Sequence, residues 1–291
     1  MNESLRQQLR CALERRELRV HYQPKFHLRT GELQGVEALL RWRTDSGVWV
    51  KPSAFVPILE QTGMINDVGA WLFECVASDC AYWLSQGQLN VRVAINVSPL
   101  QLREQGFLKW VLSICSAWQS AGTGLDLELT ESALLPDTYD VVGALDELTA
   151  ANVRIALDDF GTGYSSLSLL TRLPVRHLKI DRSFVAQLGV SRKGEAIVEA
   201  IIRLGREIGL ETIAEGIETE QQLQRLHNMG CDIGQGYLFS PALSRENLLG
   251  RLASRNVRDL MPSAAGLGPQ SSVASSTRVA AGAASLGCKL S

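Results

Sequence analysis

None of the six cysteines in this 291-residue chain (Cys11, Cys75, Cys80, Cys115, Cys231 and Cys288) belongs to a C-x-x-C pair. That spacing excludes the common thiolate-zinc and dithiol redox motifs, and no apolar signal region follows Met1, where Glu3, Arg6, Arg10 and Glu14 intervene. Reduced thiols in the cytoplasm are the expectation. Missing too is an apolar run long enough to span a bilayer, because Ser, Gln, Thr and Gly break the least charged stretches. Neither sign of charge dominates: 29 Lys+Arg face 31 Asp+Glu, a net charge of -2. A protein that neutralises many phosphates along a nucleic-acid polymer is thereby excluded, while a small anionic ligand stays open. The four histidines (His21, His27, His177, His227) show no metal-ligand spacing and read as packed or surface residues. So do the tryptophans, Trp42 excepted, as core or helix-surface packing.

What is present is an ordinary globular composition, 45% hydrophobic and 21% charged, with a length that suits one large α/β unit followed by a short extension. Leu5, Leu9 and Leu13 recur every four residues and place an amphipathic helix within residues 1–17, which would serve equally as the stub of a signalling linker. After Met261 the composition shifts to Ala, Ser and Gly without an aromatic residue, and residues 261–291 are expected to form a disordered tail.

Between these ends, short β-branched runs alternate with helical patterns. The strands expected are 19–25, 33–40, 91–97, 125–129, 153–157, 177–180, 212–214 and 233–238. The helices expected are 53–62, 67–86, 106–120, 139–150, 194–208 and 220–229. Such alternation implies a mostly parallel sheet covered by helices. A few residues around Thr30-Gly31 join the first two strands, too few for a parallel crossover, so that pair must be a hairpin. The fold expected is an α/β, TIM-like (β/α)8 barrel with the first strand antiparallel to the others.

On this frame the polar residues fall into a pattern. Glu37, Asn96, Glu128, Asp158-Asp159, Lys179, Glu215 and Gln235 each sit at or near the C-terminal end of an otherwise apolar run, the end at which parallel barrels build their sites. Carboxylates gathered in one low-dielectric mouth repel each other unless cations compensate. Oxygen donors without a Cys/His set suit Mg²⁺ or Mn²⁺. Two such ions, which Asp158 and Asp159 could bridge, suit in-line displacement at phosphorus and suggest hydrolysis of a phosphate ester. Any one strand-end carboxylate is as well explained as a helix cap or an ion-pair partner, and Lys179 alone as a snorkelling lysine; the argument rests on the set. The run DFGTGYSS from Asp159 to Ser166 reads either as a strand-to-helix turn capped by Ser165 or Ser166 or as a mobile functional loop. Neither a Gly-rich phosphate loop nor H-R-D accompanies its Asp-Phe-Gly, so it is not the kinase triplet.

Seven motifs in order, GVEALLRW around Glu37, NVS (Asn96 to Ser98), ELTES (Glu128 to Ser132), DDFGTGYSSL (Asp158 to Leu167), LKIDRSFV (Leu178 to Val185), AEGIE (Ala214 to Glu218) and GCDIGQGYLFS (Gly230 to Ser240), resemble the EAL domain family of cyclic di-GMP phosphodiesterases. The resemblance runs from Leu18 to Leu252 and implies a catalytic domain over residues 18–260. It implies metal ligation of two Mg²⁺ or Mn²⁺ ions by Glu37, Asn96, Glu128, Asp158 and Asp159, with Lys179 holding the catalytic water. Glu215 would be general base or second-metal ligand. Glu131 would steady the loop from Phe160 to Ser166. Gln23, Leu40, Arg41, Glu218, Gln235 and Tyr237 match positions that contact the nucleotide or organise the site, and the Arg41 fork suits a phosphate. The implied reaction opens one phosphodiester of cyclic di-GMP to give linear pGpG, in a cytoplasmic homodimer paired near the DFG-containing loop. The rival is an inactive EAL domain that binds cyclic di-GMP or a protein; against it, every metal and catalytic position holds the expected residue type. One departure lies at Ser240-Pro241-Ala242-Leu243, where the proline comes one position early. No synthase motif or sensor domain precedes Leu18, so a stand-alone EAL protein is the expectation.

Overall fold

The computed structural model describes residues 3–86, 91–120, 124–134, 139–161, 170 and 172–254. The tail expected at 261–291 and residues 162–169 of the Asp-Phe-Gly loop, with the Ser165 and Ser166 caps, lie outside the described residues.

Eight strands close into a barrel: β1 (Leu18–His27), β2 (Leu33–Arg43), β4 (Arg92–Val97), β5 (Gly124–Thr130), β6 (Arg154–Phe160), β7 (Val175–Ile180), β8 (Glu211–Ala214) and β9 (Ile233–Gly234). Strands β2 and β4 to β9 run parallel, each to its neighbour. Strand β1 is antiparallel to both of its neighbours, β2 and β9, and so closes the ring. The hairpin inferred from the short connection is thus the antiparallel member of a TIM-like barrel. A ninth strand, β3 (Trp49–Val50), pairs with Trp42 and Arg43 at the end of β2.

Several elements depart from the sequence reading. The last strand was expected over 233–238 and stops at Gly234; beyond it the chain passes so close to Ile217 that a Cβ on Gly236 would collide with the Ile217 backbone, a path only glycine permits. The dipeptide strand β3 and the helices Pro99–Arg103 and Arg245–Ser254 were not anticipated. The first of these helices starts from a capping box, with the Ser98 side chain accepting from Leu100 N–H and the Gln101 side chain accepting from Ser98 N–H.

The helices that cover the barrel begin and end where their caps dictate. Pro52–Thr62 has proline in its first turn and ends at Gly63 with φ 75°. Glu220–Met229 starts from a Thr219/Gln222 capping box and ends at Gly230 with φ 80°. One apolar core fills the barrel and the space under most of the helices. A second joins Leu9 and Ala12 of α1 (Glu3–Ala12) to Trp42, Phe55, Ile58 and Leu59. Trp42 is fully buried there and donates its indole N–H to Glu17 at 2.7 Å. That second core clamps the outer face of the β1–β2 hairpin, which leaves its inner face to the barrel mouth.

Candidate active site at the barrel mouth

Alternation along β2 sends Glu37, Leu39, Arg41 and Arg43 to one face and Ala38, Leu40 and Trp42 to the other. The register of β1 sets Gln23 opposite Glu37 and His21 opposite Leu39. The parallel strands add Asn96, Glu128 and Asp158 beside them, and Lys179 rises from β7 at the centre.

Lys179 is 1% exposed and its ammonium lies 2.6 Å from Glu128, 2.6 Å from Glu215, 3.0 Å from Asp158 and 4.0 Å from Glu37. Four carboxylates from four different strands or strand ends therefore meet at one nitrogen. Burial works against its charge, but Asp158, Glu128 and Glu215 carry its pKa well above the ordinary lysine value. A second ammonium, Lys25 from β1, stands 3.1 Å from the other oxygen of Glu128 and is equally buried. Burial alone would raise the pKa of Glu128; Lys179 and Lys25 hold it down to about 2. Sequence reading missed Lys25, since one lysine in a strand is ordinarily a surface residue; its signal was a cation in a strand whose partner carries Glu37.

The opposite holds across the ring. Burial and the neighbouring Glu128 push Glu37 above the usual carboxylate range, and burial carries Glu215 up to about 8 against the pull of Lys179. Glu37 is fixed by donors on both oxygens, Asn96 Nδ2 at 2.7 Å and Gln235 Nε2. Gln235 also donates to Gln23 Oε1 at 3.0 Å, and Gln23 donates in turn to the carbonyl of Ser240 at 3.0 Å. This chain of amides orients Gln235 so that its buried Oε1 accepts from no group among the described residues.

Asp159 adopts a left-handed backbone, φ 55°, at an irregularity in the β6–β7 pairing. In a regular strand Asp158 and Asp159 would face opposite sides. At the bulge, Asp158 Oδ1 accepts the Asp159 N–H at 2.9 Å. After burial, the charges of Asp158 and Asp181 raise the pKa of Asp159. A strained conformation at such a point belongs with a site.

Of the remaining residues singled out from sequence, Arg41 is half-buried above Glu37 and donates to the Leu40 carbonyl at 3.0 Å. Tyr237 is 69% exposed, close enough to Arg41 for charge interaction. Leu40 projects with the opposite face of β2 and, with Arg41 and Asn96, lines a cavity of about 290 Å³ beside the mouth. Glu218 is exposed just before the Glu220–Met229 helix, its N–H donating to Gln222 at 2.8 Å. Glu131 is buried at the start of a 3-10 turn after β5. Trp49, grouped from sequence with the packing tryptophans, is instead 49% exposed on β3.

The donor set fits divalent cations. Five carboxylates, Glu37, Glu128, Asp158, Asp159 and Glu215, and the Asn96 amide supply oxygens, while Lys25 and Lys179 supply two positive charges. Crowding that lifts Glu37, Asp159 and Glu215 toward protonation is the strain that hard cations relieve. Among the described residues no three acidic, His or Cys side chains close into a ready cage; Lys179 is the cation they surround.

A closed α/β barrel with acidic groups ringed at the C-terminal mouth and one β1 strand reversed defines a class, and comparison with known proteins agrees. The EAL domain profile matches residues 6–242, and the chain belongs to the EAL domain family. It is 41% identical over 245 residues, 84% of the chain, to the bifunctional diguanylate cyclase/cyclic di-GMP phosphodiesterase MucR of Pseudomonas aeruginosa, covering 36% of that protein. It is 37% identical over 227 residues, 78% of the chain, to the cyclic di-GMP phosphodiesterase PA2567 of the same organism, covering 38% of it. The chain thus spans about a third of the length of these curated relatives. Among solved structures, the MucR phosphodiesterase in complex with c-di-GMP superposes with a TM-score of 0.78 at 41% identity, over 84% of this chain and 100% of that one. The EAL enzyme Bd1971 in its cAMP-bound form gives a TM-score of 0.78 at 32% identity, over 85% and 69%. No helix among the described residues is long and apolar enough to cross a membrane.

Proposed function

We propose that this chain is a cyclic di-GMP phosphodiesterase that opens one phosphodiester of the cyclic dinucleotide to linear pGpG with two Mg²⁺ or Mn²⁺ ions. The observation that carries the reading is the convergence of Glu37, Glu128, Asp158 and Glu215 on Lys179 at the C-terminal barrel mouth, in a fold that solved relatives share at a TM-score of 0.78. That MucR structure holds c-di-GMP.

In this reading Glu37, Asn96, Glu128, Asp158 and Asp159 hold the cations, with Glu215 as a further ligand or as the base. Held there, such ions would lower the pKa of a water and neutralise charge that develops at phosphorus. Asn96 and Gln235 fix the Glu37 carboxylate in one rotamer, so it meets a cation without reorganising. Lys25 shares with Lys179 the work of holding Glu128 ionised. Lys179, buried and fully charged, is placed to orient the attacking water. As the base, Glu215 would take that water's proton from its place 2.6 Å from the Lys179 ammonium. Arg41 offers a planar fork to the non-bridging phosphate oxygens. The free carbonyl of Gln235, with Gln23, Leu40, Glu218 and Tyr237, belongs to the nucleotide side. Glu131 steadies the loop after Phe160.

The free thiols of Cys11, Cys75, Cys80, Cys115 and Cys231 fit a reducing cytoplasm as the setting. The same family reading carries a homodimer, which light scattering on a sizing column tests. The decisive test is incubation with cyclic di-GMP and Mg²⁺ or Mn²⁺ followed by chromatography. Appearance of pGpG is the expected result; nucleotide bound but recovered intact would overturn the reading in favour of a binding module.

A further inference from the structure

Strand β2 runs on to Arg43, past the level at which its parallel neighbour β4 ends with Val97. Its last residues, with β3, therefore stand above the barrel rim as a wall. Register puts Trp49 opposite Arg43 on β3, and Gln23 and His21 opposite Glu37 and Leu39 on β1. All of these side chains leave the face that carries Glu37 lower down. Arg41 is four residues past Glu37, about 13 Å at the usual strand rise of ~3.3 Å per residue.

The large apolar side chains left exposed among the described residues include two aromatics, Trp49 and Tyr237. Trp49 lies opposite Arg43, two residues along β2 from Arg41. Tyr237 interacts with the Arg41 charge directly. The Trp49 indole meets the His21 ring edge-on with centroids 5.5 Å apart, and His21 in turn feels the Arg41 charge. The Arg43 guanidinium sits 5.7 Å from the Trp49 ring centroid. The indole is thus held by two neighbours while half of its surface faces water, a costly arrangement for a large apolar group unless something covers it.

We infer that Trp49 is a purine-stacking residue of the substrate site, taking one base of the cyclic dinucleotide while Arg41 takes the phosphate beside it. The inference rests on the proposed phosphodiesterase reading and deepens it. A pre-held indole loses little freedom when a base stacks on it, and a positive wall of Arg41 and Arg43 favours the electron-rich purine face and the adjacent phosphate. The residue acts on affinity and on base preference, not on the chemical step.

The experiment compares wild type, Trp49→Ala and Trp49→Phe in steady-state turnover of cyclic di-GMP with Mg²⁺, and in titration of tryptophan fluorescence with the same nucleotide. Trp49→Ala is expected to raise KM at least fivefold with kcat unchanged, the range found for loss of one base stack. Trp49→Phe should stay within about threefold of wild type in KM. Nucleotide should quench wild-type fluorescence by an increment that Trp49→Phe lacks. Turnover by wild type with an unchanged KM in Trp49→Ala, or equal quenching in wild type and Trp49→Phe, would overturn the stack while leaving the phosphodiesterase reading intact. Absence of pGpG from wild type would overturn the phosphodiesterase reading instead; the fluorescence increment would still decide whether Trp49 stacks on the bound nucleotide. Equal thermal melting of the three proteins excludes misfolding as the cause, since Trp49 lies outside both cores.

Discussion

Lys179 and Lys25 take one oxygen each of the buried Glu128 carboxylate, at 2.6 Å and 3.1 Å. Glu128 is thereby held toward the ionised form, while its neighbours Glu37 and Glu215 lean toward protonation. The consequence is an asymmetry: one carboxylate held ionised by two ammonium groups, with Glu37 and Glu215 pushed toward protonation beside it.

Removing one of those ammonium groups leaves Glu128 half-compensated in a dry interior. Lys25→Met should cost about 3 kcal/mol, the range for breaking a buried ion pair. Lys25→Met with Glu128→Gln should recover much of it, because the uncompensated charge is gone. Urea denaturation of the three proteins checks this; equal stability of wild type and Lys25→Met would contradict the pairing.

At the opposite end of the barrel, Glu211 bonds to His177 at 3.2 Å and to Arg176 at 3.0 Å. The His177 hydrogen bond first, then Arg176, lowers Glu211 to about 2 from an ordinary 4.5. A lowered folded-state pKa stabilises above the unfolded value and loses that contribution as the pH falls toward the folded one. Because Glu211 is partly exposed, solvent screening reduces the effect to about 1 kcal/mol. Glu211→Gln should therefore be less stable than wild type at pH 7, with the gap closing between about pH 4.5 and pH 2. A gap independent of pH would contradict the account. Turnover should be unaffected, since Glu211 starts β8 at the end away from the mouth.

Thiol chemistry gives a third check. Burial pushes Cys231 up to about 12 and Cys75 and Cys115 up to about 11, so little thiolate is available near neutrality. Peptide mapping after iodoacetamide at pH 8 should find these three largely unmodified in the folded protein and fully modified in urea. Rapid alkylation of Cys231 in the native state would contradict its buried place against Thr212 and Ile233.

A fourth concerns the cation. Ca²⁺ should replace Mg²⁺ poorly in turnover, because its longer and more flexible coordination misplaces the attacking water. Glu37→Ala should abolish turnover with near-normal melting, since Glu37 touches the site more than the core. Full activity with Ca²⁺, or activity retained in Glu37→Ala, would contradict the assignment.

Much of the mouth was legible in the chain because parallel barrels bring strand ends together. Glu37, Asn96, Glu128, Asp158, Lys179 and Glu215 each lie at or near the C-terminal end of an apolar run, and the short link at Thr30-Gly31 forced the reversed first strand. Less legible were features set by contacts across the fold. The last strand ends at Gly234 and Gly236 then packs against the Ile217 backbone, and no local pattern announces that. Lys25 matters through Glu128, 103 residues away. Trp49 resembles any packing tryptophan until β3 lifts it above the rim, and two residues are too few for a periodicity to reveal a strand. The turn at Asp159 follows from a bulge against β7, a property of the pairing.

The most direct test of the central claim is a crystal of the protein grown with Mn²⁺ and read at the manganese absorption edge. The account predicts two anomalous peaks ~3.5 to 4 Å apart, within bonding distance of Glu37, Asn96, Glu128, Asp158, Asp159 or Glu215, with Lys179 Nζ withdrawn from the centre of the ring. Manganese bound elsewhere, or a mouth in which Lys179 keeps all of its carboxylate contacts at saturating Mn²⁺, would contradict it.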